Sequence, residues 1–190
     1  MSAQDSKLFV ISGPSGAGKG TLVTRVRERR SNLGLTVSAT TRAPRKGEVD
    51  GVNYFFLTRE EFDRRVANGE FVEWAEVHGN CYGTLVSEVT SKLASGASLI
   101  LEIDVQGALQ VKERFPEAVL IFIKPPSLEV LRERLVGRGT ETPETIELRM
   151  ANAAHELALA DRYDDVVVND DLDRATDELV RVLDMHESCL

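Results

Sequence analysis

Cysteine is scarce in this sequence, and long apolar runs are absent. The two cysteines, Cys81 and Cys189, cannot build a disulfide framework, and no cysteine–histidine spacing resembles a zinc site. No apolar run approaches the ~18 residues of a membrane span, and the polar first residues lack the apolar stretch of a signal peptide. We therefore expect a cytoplasmic protein that has no membrane partner.

Positive charge is also in short supply. Lysine and arginine number 23 against 31 aspartates and glutamates, which gives a net charge of −8. This balance argues against a general nucleic-acid or membrane-surface binder, and we expect neither a nucleic-acid partner nor an obligate protein partner. An acidic protein can still bind anions where arginines gather locally. At ~150 residues per domain, 190 residues indicate one domain.

Four short apolar runs indicate buried strands. They are Leu8–Ile11, Leu99–Leu101, Val119–Ile123 and Val166–Val168. Unbroken runs of this kind are typical of parallel strands that are buried on both faces. Helical patterns follow at 21–30, 105–114, 127–136 and 172–186. Because strands alternate with helices, we predict an α/β fold with a parallel sheet.

Two segments interrupt this alternation. In the first, about 35–95, short apolar stretches predict a small mixed sheet, and Thr58 with Glu61 matches a capping box that starts a helix. The second, about 137–163, begins with glycines that end one helix and continues with a helix whose first turn holds Pro143. Such a glycine-hinged arm predicts a mobile lid. The remaining core spans about 1–34, 96–136 and 164–190.

A glycine-rich loop follows the first strand and opens the first helix. It matches the phosphate-binding pattern G-x-x-x-x-G-K in the context that its chemistry requires, because backbone N–H groups and the helix N-terminus attract phosphate oxygens. Lys19 is predicted to reach the β- and γ-phosphates. The strict pattern continues with Ser or Thr, but Gly20 stands there and the hydroxyl of Thr21 follows. The predicted ATP-binding residues of this loop are Gly13, Pro14, Ser15, Gly16, Ala17, Gly18, Lys19, Gly20 and Thr21.

Two acids end the second apolar run. Glu102 and Asp104 are two residues apart in a strand, so both side chains point to one face. The carboxyl ends of parallel strands face the ligand crevice of such folds. The two acids are therefore candidates for organising hydrated Mg²⁺ or for hydrogen bonding to a substrate. The alternative for Asp104 is the N-cap of the next helix.

A second group of residues suits a small anion. Arg42 and Arg45 lie three residues apart in a predicted loop and offer bidentate donors to a phosphate, to which Tyr54 and Tyr82 would add hydroxyls. An isolated Arg-x-x-Arg pair is more often a solvated surface pair.

Glu73 lies in an apolar strand between Val72 and Trp74. Alternation places its side chain on the face opposite theirs. A lone acid in a strand usually faces solvent, and Trp74 is expected in the core.

Taken in order, these motifs resemble the guanylate kinase signature. The matching segments are 38–54, 69–73, 82–84, 102–107, 137–141 and 169–170, and the resemblance runs from about Leu8 to Leu183. It implies a P-loop NTPase-like parallel core sheet flanked by helices, with a small mixed GMP-binding insertion and a helical lid.

The resemblance also implies roles for residues of the insertion. Arg42, Arg45, Tyr54 and Tyr82 would hold the GMP phosphate. Glu73, with Ser38 and Thr84, would read the base. The chemistry agrees, because guanine presents two adjacent donors, N1–H and the 2-amino group, to an acceptor-only carboxylate. Adenine lacks those donors and would leave the carboxylate unpaired. Asp104 would lie near the base or the metal.

Three arginines match family positions that clamp the transferred phosphoryl group: Arg134, Arg138 and Arg149. Phosphoryl transfer needs in-line positioning and cations around the equatorial oxygens. Because acidic residues lie nearby in the sequence, the alternative for each arginine taken singly is a place on a charged, solvent-exposed surface. Asn169 matches a family residue near the adenine of ATP. The alternative interpretation is that its side chain only caps the loop.

The implied activity is direct in-line transfer of the γ-phosphoryl group of MgATP to GMP, within purine nucleotide metabolism and GMP recycling. ATP and GMP are the expected partners, with dGMP left open as an acceptor. Mg²⁺ enters as MgATP, and Thr21 and Glu102 are its candidate contacts, directly or through water.

Three alternatives fit less well. Scaffold domains of this kind bind phosphorylated partners without turnover, but their ATP loop is typically degraded. A kinase for a phosphorylated ribose would not need Ser38, Glu73 and Thr84 together. A GTP-dependent switch usually carries an N-K-x-D motif, which this sequence lacks.

Overall fold

The computed structural model describes residues 6–77, 79–137 and 142–188. Strands and helices alternate along much of the chain. In order they are β1 (Leu8–Ser12), α1 (Lys19–Arg29), β2 (Gly34–Leu35), β3 (Ala39–Thr40), β4 (Phe55–Phe56), α2 (Arg59–Ala67), β5 (Phe71–Val77), β6 (Asn80–Leu85), α3 (Val86–Ala94), β7 (Leu99–Glu102), α4 (Val105–Arg114), β8 (Val119–Lys124), α5 (Leu128–Gly137), α6 (Pro143–Leu157), β9 (Asp165–Val168) and α7 (Leu172–Ser188).

The four predicted apolar runs form a parallel sheet together with the two-residue strand β2, in the strand order β2-β7-β1-β8-β9. Strand β1 lies at its centre, with Val10 paired to Leu101 of β7 and to Leu120 of β8. The glycine-rich loop and Glu102 therefore leave the same edge of the sheet from neighbouring strands. The predicted α/β fold with a parallel core sheet is confirmed.

Helices cover both faces of this sheet. On one face, Phe9 and Ile11 pack with residues of α1 and α7, and on the other, Leu8 and Val10 pack with residues of α4. Burial on both faces explains the unbroken apolar runs. The prediction was wrong for β9, where only Val167 is buried, because β9 is the edge strand and pairs with β8 alone.

A second sheet, of order β4-β3-β6-β5, is built from strands between residues 39 and 85. It is mixed, as predicted, because β3 runs parallel to β4 and antiparallel to β6. Its own small core contains Phe62 of α2, stacked on Phe71 at a centroid distance of 4.3 Å. The expectation of a buried Trp74 was wrong: 41% of this residue is exposed.

The sequence signals at helix ends were largely correct. The Thr58 hydroxyl accepts from the Glu61 N–H at 3.1 Å, and Thr142 caps α6, with Pro143 as its first residue. The reciprocal half of the capping box is missing, because the Glu61 carboxylate pairs with arginines of its own helix. Among the described residues, no helix is long and apolar enough to cross a membrane.

Candidate functional site

The glycine-rich loop closes tightly over the start of α1. Gly18 is the N-cap, with φ of 91°, and a Cβ there would lie 2.4 Å from the Asn169 amide nitrogen. Glycine is therefore required by both backbone conformation and space. The Lys19 ammonium donates to the carbonyls of Gly13 at 2.6 Å and Pro14 at 3.2 Å. The loop thus holds a cation beside the first N–H groups of a helix, an arrangement suited to phosphate.

The strict loop pattern expects a hydroxyl side chain at position 20, but this chain has Gly20 there. The space beside Gly20 borders the carboxylate of Glu102. A Cβ on Gly20 would lie 3.4 and 3.6 Å from the two carboxylate oxygens of Glu102. Burial against the surrounding protein raises the pKa of Glu102, and the nearby Lys19 charge opposes that shift. Glu102 is nevertheless open to solvent on the crevice side.

The donor set near Glu102 fits Mg²⁺ bound chiefly by phosphates and water. One carboxylate and the hydroxyl of Thr21 supply hard oxygen atoms, which Mg²⁺ prefers. Within 6–77, 79–137 and 142–188, no group of three or more acids, histidines or cysteines could enclose a metal. Mg²⁺ typically uses one or two protein carboxylates together with nucleotide phosphates, so the fit is to a nucleotide-borne ion.

Residues of α5, α6 and the β9–α7 turn converge on the glycine-rich loop. Arg134 donates to the Asn169 carbonyl at 2.8 Å and to the Ala17 carbonyl at 3.4 Å, and the buried Asn169 amide donates to Ala17 at 2.7 Å. Arg149 donates to the Ser15 hydroxyl at 2.5 Å. Arg138 lies outside the described residues. Asn169 therefore supports the loop, and its predicted position near adenine stays a prediction.

The predicted base-recognition residues lie side by side in the second sheet. Glu73 of β5 pairs in register with Thr84 of β6. Strand β3 pairs Ala39 with Gly83, so continuing its register by one residue puts Ser38 opposite Thr84. The three side chains thus occupy neighbouring positions on three adjacent strands.

A β-bulge turns Glu73 inward. Phe71 pairs with Leu85 and Glu73 with Thr84, so the residue between them is unpaired and the alternation of faces is broken. Val72 packs in the core beside β7 and α4 as a result, and Glu73 is buried too. The prediction that Glu73 and Trp74 lie on opposite faces of the strand was thus correct. The prediction that Glu73 and Val72 also lie on opposite faces was wrong.

Glu73 is only 7% exposed, and burial raises its pKa to about 7. The charge of Asp104 contributes to this rise, while Thr84 opposes it. The fully buried Thr84 hydroxyl nevertheless satisfies the geometry of a hydrogen bond to no described residue. The Glu73 carboxylate and the Thr84 hydroxyl are therefore buried next to each other without a well-formed hydrogen bond between them, which is destabilising unless a ligand pairs with them.

Asp104 caps the helix that follows it, and its role toward a base or a metal stays a prediction. Its carboxylate caps α4 by accepting the Gly107 N–H at 2.8 Å, which was the alternative to a ligand role. It also faces the base-recognition residues, because a Cβ on Gly107 would lie 3.2 Å from a Glu73 oxygen and 3.4 Å from an Asp104 oxygen. Gly107 thus provides the space in which the two carboxylates approach each other.

The predicted phosphate-binding side chains form a cluster around Arg42. Its guanidinium lies 5.4 Å from the centroid of the Tyr54 ring, which in turn contacts the Tyr82 ring edge-on at 6.2 Å. Arg45 is exposed on the same loop, where its N–H donates to Glu48 at 2.7 Å. Arg42 thus lies close to two phenol side chains, Tyr54 just before β4 and Tyr82 in β6, and Arg45 of the same loop carries a second guanidinium group.

Sequence reasoning assigned no role to Glu48 or Gly107. Glu48 accepts from one Arg42 nitrogen at 2.9 and 3.0 Å, and this contact lowers the pKa of the Glu48 carboxyl and raises that of Arg42. An acid six residues after an arginine is a weak signal. For Gly107, the usable signal was a glycine in the first turn of a predicted helix, where it has no conformational advantage.

Comparison with known proteins agrees with this geometry. A family profile described as guanylate kinase matches residues 5–186. The chain is 57% identical to a guanylate kinase of Gloeobacter violaceus over 94% of its length and 87% of that protein, and 52% identical to one of Halalkalibacterium halodurans over 96% and 90%. The crystal structure of guanylate kinase from Anaplasma phagocytophilum superposes with a TM-score of 0.74 at 36% identity, covering 96% of this chain and 87% of that one.

Proposed function

The chain belongs to the guanylate kinase family, and we propose that it transfers the γ-phosphoryl group of ATP to GMP, giving ADP and GDP. The observation that carries this proposal is the buried pair of Glu73 and Thr84, in a chain that also has a phosphate-binding type of loop at the start of α1. The pair offers the acceptor and the hydroxyl that guanine requires, and adenine would leave the carboxylate unpaired.

Each substrate has its own part of the chain in this proposal. ATP binds the glycine-rich loop, residues 13–21, with Asn169 beside it. GMP binds the insertion, about 35–95, where Arg42, Arg45, Tyr54 and Tyr82 hold the phosphate. Ser38, Glu73 and Thr84 hold the base, with Asp104 at its edge. The segment of about 137–163 acts as the lid.

Mg²⁺ belongs to this proposal as MgATP. Thr21 and Glu102 would hold it, directly or through water, since they supply the oxygen ligands nearest the loop. When bound, the ion supplies positive charge that neutralises the phosphates between the two nucleotides.

The chain's own residues orient the phosphates and stabilise the charge that is transferred. Lys19 would leave the Gly13 and Pro14 carbonyls for the ATP phosphates. Arg134 and Arg149 already border the loop, and with Arg138 they would surround the equatorial oxygens. The attacking GMP phosphate is an anion at neutral pH, so no general base is needed. Closure over both nucleotides would exclude water, which limits hydrolysis of ATP.

The decisive experiment measures ADP formation from MgATP with GMP, dGMP, AMP, CMP or UMP as the only acceptor. We expect strong turnover with GMP and near-background turnover with AMP. Equal turnover with AMP would overturn the guanine assignment. GMP binding without turnover would instead favour the non-catalytic scaffold reading, although the intact glycine-rich loop argues against it.

A further inference from the structure

Arg114 joins the helix α4 to the beginning of β5. Its guanidinium donates to the Phe71 carbonyl at 3.1 Å and, through its other terminal nitrogen, to the Gly69 carbonyl. Arg114 is the last residue of α4, whereas Gly69 and Phe71 belong to the turn and strand that follow α2. One side chain therefore fixes two backbone carbonyls that belong to the second sheet.

These two carbonyls lie directly before the bulge that directs Glu73 inward. The bulge lies between Phe71 and Glu73, so the Phe71 carbonyl is where the backbone leaves regular pairing. A bulge is a local departure from the ladder, and its geometry depends on contacts outside the ladder. Arg114 supplies such a contact two residues before the buried carboxylate.

The two ends of α4 hold the two sides of the same site. At its N-terminus, Asp104 and Gly107 face the Glu73 carboxylate. At its C-terminus, Arg114 holds the Gly69–Phe71 backbone. The distance between Glu73 and the start of α4 is therefore set partly by a contact at the other end of the helix.

Val72 packs against α4, but packing leaves a gap beside this contact. A groove of about 370 Å³ lies between α4 and the α2–β5 segment, bordered by Val66, Val72, Trp74, Gln110 and Arg114. Trp74 at its border is 41% exposed. At the border of this gap, the two charge-assisted hydrogen bonds of Arg114 join α4 to the backbone before β5 and at its start.

We propose that Arg114 is a positioning residue for guanine selection: by holding the Gly69 and Phe71 carbonyls, it fixes the bulge that presents the Glu73 carboxylate to the base. This inference rests on the proposed function, since it concerns how the same site distinguishes guanine from other bases. Arg114 itself lies at the C-terminal end of α4, and within the described parts of the chain its hydrogen bonds go to these backbone carbonyls and to no predicted substrate-binding side chain.

The test compares GMP with IMP, whose base keeps N1–H but lacks the 2-amino group. The variants are Arg114→Gln, Arg114→Lys and, as matched control, Lys112→Gln. Lys112 lies on the same helix and also donates to a backbone carbonyl, that of Ala118 at 2.7 Å, but on the core side. For each variant, kcat/KM for GMP and for IMP, the KM for ATP, and Tm are measured.

We expect Arg114→Gln to lower the ratio of GMP to IMP kcat/KM by about fivefold, the effect of one lost hydrogen bond. The KM for ATP should stay unchanged. Arg114→Lys should restore part of the ratio, because it keeps a charged donor but loses the planar fork. Lys112→Gln should leave the ratio at the wild-type value. In a Glu73→Gln background, Arg114→Gln should have no further effect on the ratio, because the group that it positions has been removed.

A purely structural role would give a different result: lower Tm, with GMP and IMP affected equally. That outcome overturns the inference, as does an undiminished effect of Arg114→Gln in the Glu73→Gln background. If Arg114→Gln does not fold, the ratio of kcat/KM for GMP to kcat/KM for IMP is measured for Arg114→Lys and decides in the same way. Wild-type turnover with GMP is measured first; its absence would refute the proposed function, whereas normal turnover with unchanged ratios in both variants refutes this inference alone.

Discussion

The burial of Glu73 beside Asp104 favours its protonated form, whereas the proposed recognition of guanine requires the carboxylate. A protonated Glu73 would present a donor to the N1–H and 2-amino donors of the base. The site therefore holds a group whose pKa of about 7 lies within the physiological range. We expect GMP affinity to decrease as the pH falls below 7, and ATP affinity to change less.

Glu73→Gln should weaken GMP binding far more than ATP binding. The amide keeps the size of the side chain, but its NH₂ group replaces one acceptor and would face a donor of the base. A loss of about 2–3 kcal/mol is expected, comparable to leaving a buried polar group unpaired. Titration calorimetry of each nucleotide against the wild type and the variant measures this loss. Equal losses for both nucleotides would refute base recognition by Glu73.

The same substitution should stabilise the ligand-free protein at high pH. The folded-state pKa of Glu73 is raised from 4.5 to about 7, so between these values the folded state binds more protons than the unfolded state. This contribution to stability is present below pH 4.5 and is lost as the pH rises through about 7. The free energy of unfolding thereby decreases by on the order of 3 kcal/mol between low and high pH. Glu73→Gln abolishes this decrease, because the amide does not ionise.

Urea unfolding at pH 5 and pH 8 tests this linkage. The stability gained by Glu73→Gln should be larger at pH 8 than at pH 5. Glu60→Gln, which alters an exposed acid of α2, serves as the control and should show no such difference. A gain for Glu73→Gln that is equal at both pH values would contradict the assigned pKa.

For single residues, sequence reasoning succeeded where chemistry is tied to a local pattern. The glycine-rich loop, the cap at Thr58 and the cap at Asp104 all depend on residues within a few positions of each other. Sequence reasoning failed where the surroundings of a residue are formed by residues that are far away in the sequence. Nothing near Trp74 signals that the bulge exposes it, and nothing near Arg114 signals that its acceptors lie 43 and 45 residues away.

Among the helices, α1 and α7 are joined by an ion-pair ladder. Arg25 pairs with Asp173, Arg29 with Asp177, and Arg30 with both Asp184 and Glu187. Most of these groups are well exposed, where an ion pair contributes little. Arg30 differs, because its side chain is only 15% exposed and that of Glu187 is 21% exposed.

Arg30→Ala should therefore lower the free energy of unfolding by about 1 kcal/mol, the upper end for surface pairs. The matched control is Arg64→Ala, which removes an exposed pair with Glu61 within α2 and should lower the free energy of unfolding clearly less. Thermal or urea unfolding in low and high salt provides the measurement. The excess for Arg30→Ala should shrink in high salt, and an equal, salt-independent loss for both variants would contradict an ionic origin.

The whole molecule combines two sheets of unequal size. The parallel sheet has large apolar clusters on both faces, which together extend from β1 to α7. The buried core of the second sheet consists of Ala39, Phe62, Phe71, Cys81 and Leu85. The parallel sheet was predictable because four of its strands are recognisable in the sequence as apolar runs. The second sheet was predictable only in kind, because β3 and β4 are two-residue strands fixed by partners elsewhere in the chain.

This difference in core size predicts a difference in local stability. A smaller buried core gives less protection against local opening, so amides of β3, β5 and β6 should exchange with solvent faster than those of β1, β7 and β8 in the ligand-free protein. GMP should slow exchange chiefly in the second sheet, because its predicted contacts lie there, whereas an ATP analogue should slow it chiefly in the glycine-rich loop and α1. Hydrogen exchange read by mass spectrometry, with AMP as the control nucleotide, distinguishes the two patterns. Uniform exchange across both sheets would mean that the molecule opens only as a unit, and the second sheet could not then close over GMP independently of the core.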